Sequence, residues 1–237
     1  MKNHFVPCSG GKDSTALLLR LIELEPEGVQ PVITPTEDEL PEMEAHWLKL
    51  EQLTGKTFTR IQCPSLMDLI DKFEALPNYR MRWCTRLIKI VPFEAFIKAQ
   101  GLCVVSVGLR FDEPSEVRSG MEMDLSEVTQ RFPLREWGWR LKDVVDYLKA
   151  RGVTVPKRTD CGCCFFQRIH EWHSLWQEHP ERWTRYEALE ARIGHTFRSP
   201  HRDSWPAALK DMRAEFERGR KPLKRKEPTE ICRACSL

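Results

Sequence analysis

The chain has 237 residues, 41% of them hydrophobic and 30% charged, with a net charge of +2. That balance suits one large domain, or a domain with a substantial appendage, and no apolar run approaches the roughly 20 residues that cross a bilayer. The amino terminus lacks an apolar stretch of signal-peptide length, so a cytoplasmic protein with no membrane partner is expected.

The first element is the short apolar run "HFVPCS" (4–9), which reads as a buried strand ending at a glycine pair. "STALLLRLIELE" (14–25) has apolar residues at helical spacing, and "GVQPVITPT" (28–36) reads as a second strand closed by Pro35. "PEMEAHWLKLEQLTG" (41–55) has a proline near its start and a glycine after its end, the punctuation of a helix. "TFTRIQC" (57–63) alternates as a third strand. "SLMDLIDKFEAL" (65–76) and "TRLIKIVPFEAFIKAQG" (85–101) read as helices, the latter bent at Pro92. "CVVSVGLR" (103–110) is a fourth strand, and "LKDVVDYLKARG" (141–152) is an amphipathic helix. Trp-rich helical stretches follow from 166 to 193, and the last segment, "ERGRKPLKRKEPTEICRACSL", reads as an extended tail.

Strands alternating with helices predict an α/β, doubly wound, mostly parallel Rossmann-like sheet. Its ligand belongs beyond the carboxyl ends of the strands, where strand order reverses. Both "SGGKDS" (9–14) and "GLR" (108–110) fall at such ends. The division expected is an α/β domain over 1–155 and a helical, cysteine-bearing region with a basic tail over 156–237.

The loop Ser9–Ser14 carries two glycines, a lysine, an aspartate and two hydroxyls between a strand and a helix. Such a turn offers backbone N–H groups and the positive helix end to an anion. It is not a Walker loop, because Val6 and Asp13 stand where that pattern needs Gly and Ser or Thr, and it lacks the dinucleotide G-x-G-x-x-G. An aspartate inside a phosphate loop makes sense if Asp13 handles a magnesium ion or the pyrophosphate side of a nucleotide being cleaved.

"SGGKDS" resembles the pyrophosphate loop of the PP-loop (adenine nucleotide α-hydrolase-like) superfamily. "RWCTRLIKIVPFEAF" (82–96), "VGLRFDEPSEVR" (107–118), "FPLREWGWRLKDVVDYLKARGV" (132–153), "CGCCFFQR" and "CRAC" are similar to elements of its phosphoadenosine phosphosulfate reductase-like branch. The resemblance implies a PP-loop-type fold and an enzyme that binds ATP or an adenylyl sulfate, with Mg²⁺, and acts at or near the α-phosphorus. Carried onto this chain, Ser9, Gly10, Gly11, Lys12, Asp13 and Ser14 would cradle the anion, with Lys12 and Asp13 catalytic, and Arg110 and Arg118 would contact the nucleotide. Two places depart from the reductases. Pro35, Thr36 and Glu37 replace a D-T-G element, and "EICRACSL" replaces an E-C-G-L-H tail.

Nine cysteines in a reducing compartment call for an explanation other than disulfides. Cys161/Cys164 and Cys232/Cys235 are two C-x-x-C pairs able to close a four-thiolate shell around one metal centre, either zinc or an iron–sulfur cluster. Cys84 and Cys163 compete for a place in it, and His170 and His173 offer a further zinc option. The resemblance favours a 4Fe-4S cluster and puts Cys84 among its ligands.

Charge is unevenly divided. Residues 1–130 carry 14 Lys and Arg against 20 Asp and Glu, and residues 131–237 carry 23 against 15. A basic second half, with Trp137 and Trp139 set among arginines, points to an anionic partner such as tRNA or DNA. Three functions are expected from these features. The first is a nucleotide-dependent sulfurtransferase-type enzyme with a sulfur donor. The second is a thioredoxin-linked reductase using Cys232 or Cys235, and the third a non-catalytic binding module with structural zinc.

Overall fold

A computed structural model describes residues 3–114 and 127–223. Arg118, Cys232 and Cys235 lie outside these residues.

Five strands form one sheet: β1 (Asn3–Pro7), β2 (Val29–Ile33), β3 (Thr59–Arg60), β4 (Cys103–Ser106) and β5 (Val128–Arg131). Their order is β3-β2-β1-β4-β5 and every pairing is parallel. Crossovers therefore step outward from β1 to β3, then return to place β4 on the other side of β1. The reversal lies between β1 and β4, where open parallel sheets bind ligands.

Alternation along β1 divides the core. Val6 faces Leu17 and Leu18 of α1 (Lys12–Leu24), together with Met43, Trp47 and Leu50 of α2 (Pro41–Thr54). Phe5 faces the opposite layer, with Phe93 and Ile97 of α4 (Val91–Lys98). α6 (Leu141–Ala150) buries Val144, Tyr147 and Leu148 in the first of these layers.

A further core joins α3 (Leu66–Phe73) to the C-terminal helices α7 (Ile169–Glu178), α8 (Pro180–Ile193) and α9 (Leu209–Glu217). Trp172 and Trp183 are 0% and 1% exposed there, as expected of tryptophans at helical spacing. Trp137, in the turn after α5 (Pro133–Glu136), and Trp139 are half-buried and pack together against the first core, so they are partly structural.

The sheet differs from the sequence reading in two places. β3 is far shorter than 57–63, because Pro31 of β2 has no N–H to give the ladder and the Gln30 side chain bridges to Thr57 and Thr59 instead. β5 has no counterpart in the reading, since its two middle side chains are exposed, its two end ones half-buried, and it shows no apolar run. No helix among the described residues is long and apolar enough to cross a membrane.

Candidate functional site

β1 ends at Pro7 and the loop turns directly into α1. Gly10 adopts φ +76°, and a Cβ there would meet Met43 Cε at 1.9 Å and Trp47 Nε1 at 3.0 Å. Only glycine suits both the dihedral and the space. No side chain caps α1; its first turn begins on Gly11. Ser9 Oγ lies 3.2 Å from Ser14 Oγ and accepts from the Gly11 N–H, while Ser14 Oγ donates to the Gly11 carbonyl. The hydroxyls thus hold the turn in shape. His46 of α2 backs the loop, with Nε2 3.2 Å from Thr15 Oγ1.

The turn after β4 presses onto this helix start. A Cβ on Gly108 would lie 3.3 Å from the backbone of Asp13 and Ser14. Arg110, 2% exposed, donates from Nη1 to Asp13 Oδ2 at 2.7 Å and from Nε to Asp112 at 2.9 Å, with Glu113 3.6 Å from Nη2. Burial alone would lower this guanidinium, but Asp13 and Glu113 outweigh it and keep it charged. Burial raises the Asp13 carboxyl against the pull of Arg110. Asp13 Oδ1 is buried with no hydrogen-bond partner among the described residues.

One crevice gathers these parts. It is lined by Ser9, Gly11, Asp13 and Ser14 of the loop, by Val32, Thr34 and Trp47, by Val107 and Gly108, and by Lys89, Phe93, Thr159 and Cys161. Of the expected site residues, Lys12 borders a neighbouring cleft. Gly10 lies beneath the loop, and Arg110 stands behind Asp13 with its charge engaged by carboxylates.

The cysteines meet at the far wall. Cys161 is within hydrogen-bonding reach of both Cys163 and Cys164, and Cys164 is close enough to Cys84 for their charges to interact. Cys84 begins a π-helical turn, Thr85–Ile90, that runs into α4; such wide turns are frequent at functional sites. The same turn carries Lys89, whose ammonium favours the charged forms of Cys84 and Asp160. Burial and the Cys164 thiol hold Cys84 up, Cys163 pushes Cys161 up, and burial pushes Cys163 up to about 12. A thiol held up in this way keeps its proton, and a metal would have to displace that proton to bind there.

Asp38, which the sequence reading passed over, is fully buried beside them. Tyr186 Oη donates to its Oδ1 at 2.8 Å, the Cys163 N–H donates to its Oδ2 at 3.3 Å, and the Gly162 N–H donates to its carbonyl at 2.8 Å. The signal is in the sequence: Asp38 sits one residue beyond Pro35-Thr36-Glu37, the residues that replace the D-T-G element. Ligand atoms of Asp38, Cys161 and Cys163 lie within 4.8 Å of one another, and neither His170 nor His173 belongs to such a group among the described residues. His173 instead packs on Trp176 and Phe216.

A family model for the phosphoadenosine phosphosulfate reductase domain matches residues 3–174. The chain belongs to that family. Two solved structures share the fold of this reductase-family chain. Phosphoadenylyl-sulfate reductase from Candida auris, in a phosphate complex, is 19% identical with a TM-score of 0.52, over 65% of this chain and 75% of that one. The U34-tRNA thiolase NcsA from Methanococcus maripaludis, with its [4Fe-4S] cluster, is 15% identical with a TM-score of 0.50, over 100% of this chain and 80% of that one. A comparison with curated proteins finds no match.

Proposed function

We propose that this protein is an adenine-nucleotide-dependent enzyme of sulfur chemistry that acts on a nucleic-acid acceptor. The observation that carries the reading is the crevice itself, which runs without interruption from Ser9, Gly11, Asp13 and Ser14 to Lys89 and Cys161. ATP bound there would lay its phosphates along the start of α1. An acceptor oxygen attacks the α-phosphorus, forming a P–O bond as pyrophosphate leaves. A sulfur nucleophile then attacks the activated carbon, and its C–O bond breaks to release AMP. Lys12 and the backbone N–H groups of the loop stabilise the charge that builds on the phosphates.

Asp13 Oδ1, a buried oxygen with no partner among the described residues, fits Mg²⁺, which takes one or two carboxylates together with substrate phosphates. Arg110 fixes the other oxygen, so Asp13 presents Oδ1 in one orientation. Cys84, Cys161 and Cys164 are buried or half-buried soft donors of the kind iron–sulfur clusters use, and Cys232 and Cys235 are candidates to complete the set. A 4Fe-4S cluster held by these residues would supply redox chemistry beside the nucleotide. A structural zinc has its own support in the compact Asp38–Cys161–Cys163 group.

The test is anaerobic incubation with ATP, Mg²⁺ and tRNA or DNA, followed by AMP analysis. AMP should form, and Lys12→Ala should slow it about 100-fold. No AMP with any acceptor contradicts the reading. A second reading, a thioredoxin-linked (phospho)adenylyl-sulfate reductase, is favoured by the family match. Sulfite release that is lost on Cys235→Ser would support it instead.

A further inference from the structure

The loop borders two recesses. Gly11 and Lys12 also line a second cleft, whose opposite wall is the segment 155–160 with Phe166 and the first turns of α7. Gly11 and Thr159 belong to both recesses and form the ridge between them.

Arg158 lies in that wall and is 9% exposed. Its Nη2 donates to the carbonyls of Cys161 and Gly162, at 3.1 and 3.3 Å. Its Nε and Nη1 are buried and have no hydrogen-bond partner among the described residues. A guanidinium is permanently charged, and a buried N–H left unpaired is costly, so half of this fork lacks the acceptor its chemistry calls for. Asp160 and Glu171 feel the charge of Arg158, yet neither takes these N–H groups. Lys157, exposed, stands next in the chain and lines the same cleft. The acidic residues Glu42 and Glu178 line the same cleft beside His179, whose Nε2 is 3.1 Å from Glu42. Phe166 is half-buried, with Arg82 5.2 Å from its ring centroid.

We propose that this second cleft receives the acceptor strand. A backbone phosphate lies against Arg158 and Lys157, and an unpaired base lies against Phe166. The group recognised is a phosphate, whose oxygen accepts a charge-assisted hydrogen bond from an Arg158 N–H that has no partner among the described residues. A polynucleotide is favoured as its source because an aromatic ring and cations share the cleft, the combination that holds single strands. The proposal rests on the nucleotide reading of the first crevice, and it places acceptor and nucleotide on opposite sides of the Gly11–Thr159 ridge.

The experiment uses the full chain, purified anaerobically, with fluorescein-labelled single-stranded RNA read by anisotropy across a NaCl series. ATP and AMP affinities are measured in parallel by calorimetry. Arg158→Gln should weaken RNA binding about tenfold, and Lys157→Gln should reduce the salt slope by about 0.7, with ATP and AMP affinities unchanged. RNA affinity that is unchanged in both variants, or wild-type protein that binds ATP but no RNA, overturns the proposal. Loss of ATP but not AMP affinity overturns it too, because the cleft would then hold the nucleotide's own distal phosphates. Wild-type protein that binds neither nucleotide defeats the first-crevice reading instead. Arg158 also braces Cys161 and Gly162, so if Arg158→Gln lowers the melting temperature, the exposed Lys157→Gln decides alone.

Discussion

Asp13 has two oxygens with different fates. Oδ2 accepts from Arg110 at 2.7 Å and Oδ1 has no partner among the described residues. The sequence motif placed Asp13 in a phosphate loop but could not show its counter-ion, which is 97 residues away. Removing one member of a buried ion pair leaves an uncompensated charge, so Arg110→Gln should cost about 3–5 kcal/mol in urea unfolding. Adding Asp13→Asn should recover part of that loss; a strictly additive double variant would show that the pair is not coupled. His46 makes a second prediction at this scale. Burial, helped by Lys49, lowers its imidazole from 6.5 to about 4, so the folded state refuses a proton that the unfolded chain accepts. Stability is unaffected above 6.5 and falls as pH drops from 6.5 to about 4, by up to about 3 kcal/mol. His46→Gln should remove that component, and equal acid sensitivity in variant and wild type would contradict it.

Among the elements, the loop carrying "CGCC" shows what spacing can and cannot reveal. Two C-x-x-C pairs led to the expectation of a metal centre, but the fastening of the loop comes from partners distant in sequence. Asp38 is reached from Gly162, Cys163 and Tyr186, and Gln167 Nε2 donates back to the Gly162 carbonyl at 2.7 Å. A Cβ on Gly162 would lie 2.0 Å from Tyr186 Oη and 3.3 Å from Asp38 Oδ2. Gly162→Ala should therefore destabilise the fold by about 1–3 kcal/mol and lower metal content. Tyr186→Phe in the same chain should recover part of both; no recovery would locate the strain elsewhere. The π-helical turn was half legible. The reading expected a bend at Pro92, and the irregularity is the wider turn that ends just before it; Pro92 lies inside the continuing helix and has no N–H to give back to that turn. β5 escaped detection because an edge strand with half its side chains exposed has no apolar run to betray it.

For the whole molecule, strand–helix alternation was enough to give a parallel, doubly wound sheet, because crossovers leave few other topologies. That topology brings the turns after β1 and β4 together, so the Ser9–Ser14 loop and the GLR turn meet as expected. The approach of Cys84 to Cys164 was not readable from spacing; it needs the C-terminal helices packed on α3, a core shared by residues more than 100 positions apart. The central claim is that this packing sets a thiolate-bound iron–sulfur centre against the nucleotide crevice. The most direct measurement is iron, zinc and acid-labile sulfide analysis of anaerobically purified protein. The account predicts roughly four iron and four sulfide per chain, both lost in Cys161→Ser. One zinc per chain, with neither iron nor sulfide, would contradict it.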